Sequence, residues 1–105
     1  MSDKQSLIDE FARCALALRE LADKLGHANF AKMMNDTLSC LCDDGLDDKQ
    51  KLLQAYERSR VFGGMGSWVD SPFCTAHELG LSDEYDKITD EFWQIRQKAR
   101  KNARW

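Results

Sequence analysis

Apolar residues recur every three or four positions in the first quarter of the chain, and this spacing constrains the fold more than any other feature. A period of about 3.6 residues is typical of a helix that buries one face. Gly26 follows the last apolar residue and is predicted to end the helix as a C-terminal cap. We therefore predict a helix over residues 3–25. Its buried stripe consists of Leu7, Phe11, Cys14, Leu18, Leu21 and Leu25, widened by Ile8, Ala15 and Ala22.

Four more segments are predicted to be helical from the same period and from residues that favour helix ends. The second helix spans residues 28–42, and the third begins after Asp47 as its N-cap and runs to about residue 60. A short helix spans residues 73–79, and the last helix begins with Ser82 as its cap. The side chains predicted to face the core are Phe30, Met33, Met34, Thr37, Leu38 and Leu41, then Leu52, Leu53 and Tyr56, and finally Tyr85, Ile88, Phe92, Ile95 and Ala99.

These helices predict the fold class. A length of 105 residues is that of one domain, and the early connections between the helices are short. Short connections favour neighbouring helices that run in opposite directions. The fold is therefore predicted to be all-α, a single domain over residues 1–105 that forms an antiparallel bundle of four main helices plus one short helix.

A non-helical stretch over residues 61–72 interrupts the pattern. It holds three of the six glycines, the only proline and one of the three tryptophans. Glycine supplies backbone freedom beside large apolar side chains, which predicts a tight loop packed on the core. We expect a positive φ at one glycine or more, and Trp68 buried against the last helix. The residues of this structural loop are Gly63, Gly64, Met65, Gly66, Ser67, Trp68 and Asp70.

Composition bears on the compartment and on the thiols. The net charge is −3, no apolar run approaches the roughly 20 residues that span a bilayer, and the first residues lack a signal-peptide pattern. The chain is therefore predicted to be cytoplasmic and without a membrane partner. In a reducing compartment, cysteines are expected to be small buried apolar residues without disulfides. The four concerned are Cys14, Cys40, Cys42 and Cys74.

Cysteine and histidine also suggest chemistry, although weakly. Cys40 and Cys42, with Cys74 and His77, are four candidate zinc ligands, but neither pair has the C-x-x-C spacing of strong zinc sites. Cys74 and His77 are also a candidate nucleophile and base, yet no orienting residue or oxyanion-hole motif accompanies them. The chain is therefore predicted to have no metal, no cofactor and no enzymatic activity, with zinc binding and cysteine catalysis as weaker alternatives.

The end of the last helix is basic. Cations in a final helical turn stabilise the helix dipole, whereas a nucleic-acid binder normally carries a basic face across the domain. A direct nucleic-acid partner is therefore not predicted. The cations concerned are Arg96, Lys98, Arg100, Lys101 and Arg104.

Acidic residues form two groups, one in the turn between the second and third helices and one at the start of the last helix. If the two groups adjoin in space, they form a negative patch that steers a basic protein partner. The predicted partner-binding residues are Asp43, Asp44, Asp47, Asp48, Asp83, Glu84 and Asp86.

The loop also carries a family resemblance. The sequence FGGMGSWVD over residues 62–70, followed by Ala76-His77-Glu78 and Glu84-Tyr85, resembles a family of short bacterial helical proteins with a GGMGS-aromatic-x-Asp loop. The resemblance covers about residues 50–98 and implies a bacterial origin. Proteins of this kind are similar to the immunity proteins of contact-dependent inhibition and other polymorphic-toxin systems.

Two functional hypotheses follow. In the first, the chain is an immunity protein that neutralises a cognate toxin, a nuclease, by occluding its basic cleft, with carboxylates in place of RNA phosphates. In the second, the chain is a regulatory or scaffold module that forms homodimers through a face of its first helix, whose apolar stripe is unusually wide.

Overall fold

The computed structural model describes residues 3–61, 68–69 and 71–103, and in this part of the chain it consists of helices and connecting turns without a strand. The all-α prediction is therefore confirmed. The residues of the glycine-rich loop other than Trp68 and Val69 lie outside the described ranges, and so do the predictions made for its glycines. The helices are α1 (Asp3–Leu25), α2 (Ala28–Leu41), α3 (Asp48–Arg58), α4 (Ser71–Glu78) and α5 (Ser82–Ala103).

Two glycines end helices in the left-handed conformation. Gly26 has φ 77° and Gly80 has φ 72°. The N–H after each glycine reaches back five residues, from His27 to the carbonyl of Ala22 at 2.9 Å and from Leu81 to the carbonyl of Ala76 at 2.8 Å. This pattern satisfies carbonyls that the helix end leaves without a partner. The predicted cap at the end of α1 is confirmed, and Gly80 ends α4 in the same way.

The starts of α3 and α5 differ in how well local sequence predicts them. Asp47 caps α3 as predicted, because its Oδ1 accepts from the N–H of Gln50 at 2.8 Å and the side chain of Gln50 accepts from the N–H of Asp47 at 3.2 Å. At α5 the prediction is wrong by one residue. Ser82 is already helical, and the carbonyl of Leu81 accepts the first helical hydrogen bond from the N–H of Tyr85 at 2.8 Å.

The core is built around α1. Every residue of its predicted stripe is buried, and so are the three residues that widen the stripe. Phe11 meets Phe92 of α5 edge to face, with ring centroids 5.8 Å apart. A wide stripe lets α1 contact α2 on one side and α5 on the other. The excess apolar surface that suggested a dimer through α1 is therefore used within the chain.

Two predictions of burial are wrong. Leu53 was expected in the core but is 42% exposed, and Ala55, three positions after Leu52, is buried instead. Adjacent helical residues point about 100° apart, and the rotation of α3 turns Leu52 towards the core and Leu53 towards solvent. Cys42 and Cys74 are exposed, so burial of the thiols holds for Cys14 and Cys40 alone.

Trp68 fixes the end of the glycine-rich segment to the core, as predicted. It is fully buried, stacks on Tyr85 at 5.4 Å between centroids and meets Phe30 edge to face at 5.3 Å. Its indole N–H donates to Oγ1 of Thr89 at 2.8 Å, and its carbonyl accepts from the hydroxyl of Tyr85 at 2.8 Å. Its own N–H donates to the carbonyl of Val61 at 2.7 Å. Trp68 thus connects the end of α3 to α5.

Candidate binding surface on the last helix

The acidic residues between α2 and α3 serve partly to shape the turn. Oδ1 of Asp43 accepts from the N–H of Gly45 at 2.9 Å, and Asp47 is the cap of α3 described above. Asp48 lies in the first turn of α3, where a carboxylate favours the helix dipole. Asp44 is exposed. Two of the four predicted binding residues in this turn therefore have carboxylates that already bind backbone N–H groups.

The acidic group at the start of α5 is more open to a partner. Asp83 and Asp86 are exposed. Glu84 accepts from Nζ of Lys24 at 3.0 Å, with the two side chains 38% and 56% exposed. An ion pair at such exposure contributes little to stability, about 0–1 kcal/mol. The ion pair does show that the C-terminal end of α1 lies beside the start of α5.

The two acidic groups lie at opposite ends of α2. The start of α5 lies beside the C-terminal end of α1, where α2 begins, whereas the other group follows the C-terminal end of α2. A helix of 14 residues is about 20 Å long at about 1.5 Å per residue. The structure therefore does not merge the two groups into one compact patch.

The centre of α5 carries an exposed tryptophan, Trp93, that was not among the predicted partner-binding residues. Trp93 is 45% exposed, and two surface depressions adjoin it. The signal was present in the sequence, because residue 93 directly follows the buried Phe92 and so falls outside the inward stripe. A large aromatic side chain outside the inward stripe is typical of a contact surface.

The first depression, the arginine groove, runs between α3 and α5 and has a volume of about 630 Å³. The second, the acidic pocket, has a volume of about 320 Å³. Trp93 belongs to both, so the two depressions form one continuous surface. The arginine groove is lined by Leu53, Tyr56, Glu57, Arg60, Trp93, Arg96, Gln97 and Arg100, and the acidic pocket by Val69, Asp86, Thr89, Asp90 and Trp93.

Arg96 is a structural element of the arginine groove. It is buried, its Nε donates to Oγ of Ser59 at 3.1 Å, and its Nη2 donates to the carbonyl of Tyr56 at 3.0 Å. Its guanidinium lies 4.3 Å from the centroid of the Tyr56 ring. Burial lowers the pKa of Arg96, the neighbouring Arg60 lowers it further, and Tyr56 opposes the shift. Arg96 therefore joins α5 to the end of α3.

The burial of Arg96 also changes the interpretation of the basic helix end. Arg96 was counted among the cations of that end, yet it is buried, while Lys98, Arg100 and Lys101 are exposed. Arg104 lies outside the described residues. The exposed cations of this helix end are thus fewer than the sequence suggested.

The cysteines and histidines are not grouped as metal ligands in the described part of the chain. No group of three or more His, Cys, Asp or Glu side chains there is placed to hold a metal ion. Burial, the largest cause, raises the pKa values of the Cys14 and Cys40 thiols, which makes both poor nucleophiles at neutral pH. Nδ1 of His77 lies 3.4 Å from Oγ of Ser82. Among the helices that the structure describes, none is long and apolar enough to cross a membrane.

Comparison with known proteins identifies no relative of this chain. No protein-family profile, curated protein or solved structure matches the chain.

Proposed function

We propose that this chain is an immunity protein that binds a cognate bacterial toxin domain, a nuclease, and neutralises it by covering its basic substrate cleft. In this proposal the protein is cytoplasmic and has no catalytic activity of its own. Its scaffold is the antiparallel bundle of four main helices and one short helix that the sequence predicts, with the glycine-rich loop packed on the core. The resemblance of residues 62–70 supports the bacterial immunity class.

The main support for this proposal is the composition of the acidic pocket. Asp86 and Asp90 are exposed beside Trp93 and Val69, which are 45% and 52% exposed. A protein interface typically combines an aromatic anchor that loses its water with charged residues around it. A nuclease cleft is basic because it binds phosphates, so carboxylates around an aromatic anchor are complementary to it.

The other acidic residues have a supporting role in the proposal. Asp83 and Glu84 lie in the first turn of α5. Asp83 is exposed and extends the negative surface towards the helix start, whereas Glu84 faces α1, where it pairs with Lys24. The group in the turn between α2 and α3 lies about 20 Å away along α2 and raises the association rate through its long-range field. We therefore assign direct contact to Asp83, Asp86 and Asp90 of α5, and electrostatic steering to Asp44 and Asp48.

The proposal is tested with a defined toxin candidate, the C-terminal domain of the protein encoded immediately upstream of this chain. Co-expression is expected to restore growth and to yield a complex that copurifies. The association rate is expected to fall as salt rises and the Debye length shrinks from about 10 Å at 0.1 M to about 3 Å at 1 M. The proposal is contradicted if the toxin domain is active by itself and this chain neither restores growth nor forms a complex with it.

Charge reversal locates the surface. The double variant Asp83→Lys/Asp86→Lys is expected to weaken the complex at least tenfold while the helical circular dichroism is retained, since both residues are exposed. The matched control Glu20→Lys/Asp36→Lys changes the net charge equally at exposed positions of α1 and α2 that have no role in the proposal. Equal weakening by both variants would mean that net charge alone acts, and no weakening by either would refute the acidic contact.

A further inference from the structure

The exposed face of α5 is complementary to itself. Asp86 and Arg100 lie seven residues before and after Trp93, and Asp90 and Arg96 lie three residues before and after it. All of these residues line one or both of the two depressions, so they share one side of the helix. Asp86, Asp90 and Arg100 are exposed on it, whereas Arg96 is buried in the groove wall. The face is therefore acidic on one side of Trp93 and basic on the other.

We propose that two copies of the chain form a dimer through this face, with their α5 helices antiparallel and a two-fold axis beside Trp93. A two-fold axis places the same surface of both copies in contact, so each contact occurs twice. Asp86 of one copy then faces Arg100 of the second copy, and Asp90 approaches the groove wall that contains Arg96. A parallel arrangement would instead place Asp86 against Asp86 and Arg100 against Arg100.

The elements beside α5 follow the same symmetry. Val69 lies beside the acidic half, in the acidic pocket, and Leu53 lies beside the basic half, in the arginine groove. The two-fold axis brings Val69 of one copy towards Leu53 of the second. Together with Trp93 these side chains are 42–52% exposed in the single chain, and the dimer covers all three.

The charged pairs set the orientation and the apolar residues supply the affinity. Exposed ion pairs contribute little individually, but like charges in contact exclude competing arrangements. Burial of Trp93, Leu53 and Val69 removes apolar surface from water, which is the main favourable term in association. The occupant that the surface fits best is thus a second copy, since this chain supplies both halves of the complement.

This inference is independent of the proposed toxin. Both use the face around Trp93, so a chain in the dimer cannot bind a toxin through the acidic pocket at the same time. The measurement below uses the purified chain alone. A monomeric molar mass would refute the dimer and would not affect the immunity proposal. Failure to bind the toxin would refute the immunity proposal and would not affect the dimer.

The test is the molar mass in solution, measured by sedimentation equilibrium from micromolar to millimolar concentration. We expect a concentration-dependent rise from the 12.1 kDa of the single chain to twice that mass. Trp93→Ala is expected to weaken dimerisation at least tenfold while the helical circular dichroism is retained, because Trp93 is on the surface. A monomer at every concentration would overturn the proposal.

Charge swaps test the orientation. Asp86→Arg and Arg100→Asp are each expected to weaken the dimer at least tenfold, because each places like charges in contact twice. The double variant Asp86→Arg/Arg100→Asp restores the dimer, and an equimolar mixture of the two single variants forms a heterodimer. The matched control Asp44→Arg lies in the turn after α2 and leaves dimerisation unchanged. A dimer insensitive to the single swaps, or one that the double swap does not restore, would overturn the proposed pairing.

Discussion

Replacing Thr89 by valine isolates one of the interactions that hold Trp68 and tests how the glycine-rich segment is fixed to the core. Oγ1 of Thr89 accepts the only hydrogen that the indole ring can donate, at 2.8 Å. Valine has nearly the shape of threonine but no acceptor. The change therefore leaves the packing of Trp68 in place and deprives its N–H of this partner.

The magnitude follows from burial. Trp68 is fully buried, and a buried donor without an acceptor costs about 1–3 kcal/mol. Thr89 is half-buried, so water partly replaces the lost acceptor and the lower part of the range applies. We expect Thr89→Val to lower the free energy of unfolding by about 1–2 kcal/mol. For a domain of this size, each kcal/mol lowers the Tm by roughly 4–8 °C.

Urea unfolding followed by circular dichroism at the helical band measures this change without relying on tryptophan fluorescence. The control is Trp68→Phe, which has no indole N–H. In that background Thr89→Val is expected to change the stability by less than about 0.5 kcal/mol, because the interaction is already absent. A neutral Thr89→Val in the natural sequence, or an equal cost in both backgrounds, would refute the reasoning and mean that packing alone holds Trp68.

Three further predictions concern α3 and α5. Arg96→Lys is expected to lower the free energy of unfolding by about 1–3 kcal/mol, because lysine does not reproduce the two donated hydrogen bonds and the aromatic contact. The control Arg100→Lys, at an exposed position of the same helix, is expected to change it by less than about 0.5 kcal/mol in the same urea titration. Asp47→Ala removes the capping box and is expected to lower the free energy of unfolding by about 0.5–2 kcal/mol, whereas Asp44→Ala in the same turn is expected to leave it unchanged. Equal losses in the two variants would contradict the capping role of Asp47. Burial raises the pKa of Tyr85 from 10.0 to about 12, so the unfolded chain loses this proton first. The contribution of Tyr85 to stability is therefore expected to fall as pH rises from 10 to 12, by up to about 1.4 kcal/mol per pH unit, and Tyr85→Phe is expected to remove this contribution.

Local sequence was sufficient for the presence of the five helices and for the ends set by Gly26 and Asp47, whereas the bounds of α4 and the ends of α2 and α3 differ from the prediction by one or two residues. α1 ends at Leu25 as predicted, because its apolar period is regular and Gly26 supplies a left-handed cap. Asp47 was predicted as a cap for a similar reason, since a carboxylate at this position reaches backbone N–H groups within three residues. These features depend on neighbours close along the chain, and the sequence specifies such neighbours directly.

Tertiary structure decided what the sequence pattern left open. Whether Leu53 or Ala55 faces the core depends on the rotation of α3 against its neighbours, and the burial of Arg96 depends on acceptors 37 and 40 residues away. The separation of the two acidic groups likewise depends on which ends of α1 and α5 meet. The exposure of Trp93 depends on what covers α5 in space. A periodic pattern gives the direction of each side chain around its own helix axis, but only the packing of the helices determines which directions lead to the core and which to solvent.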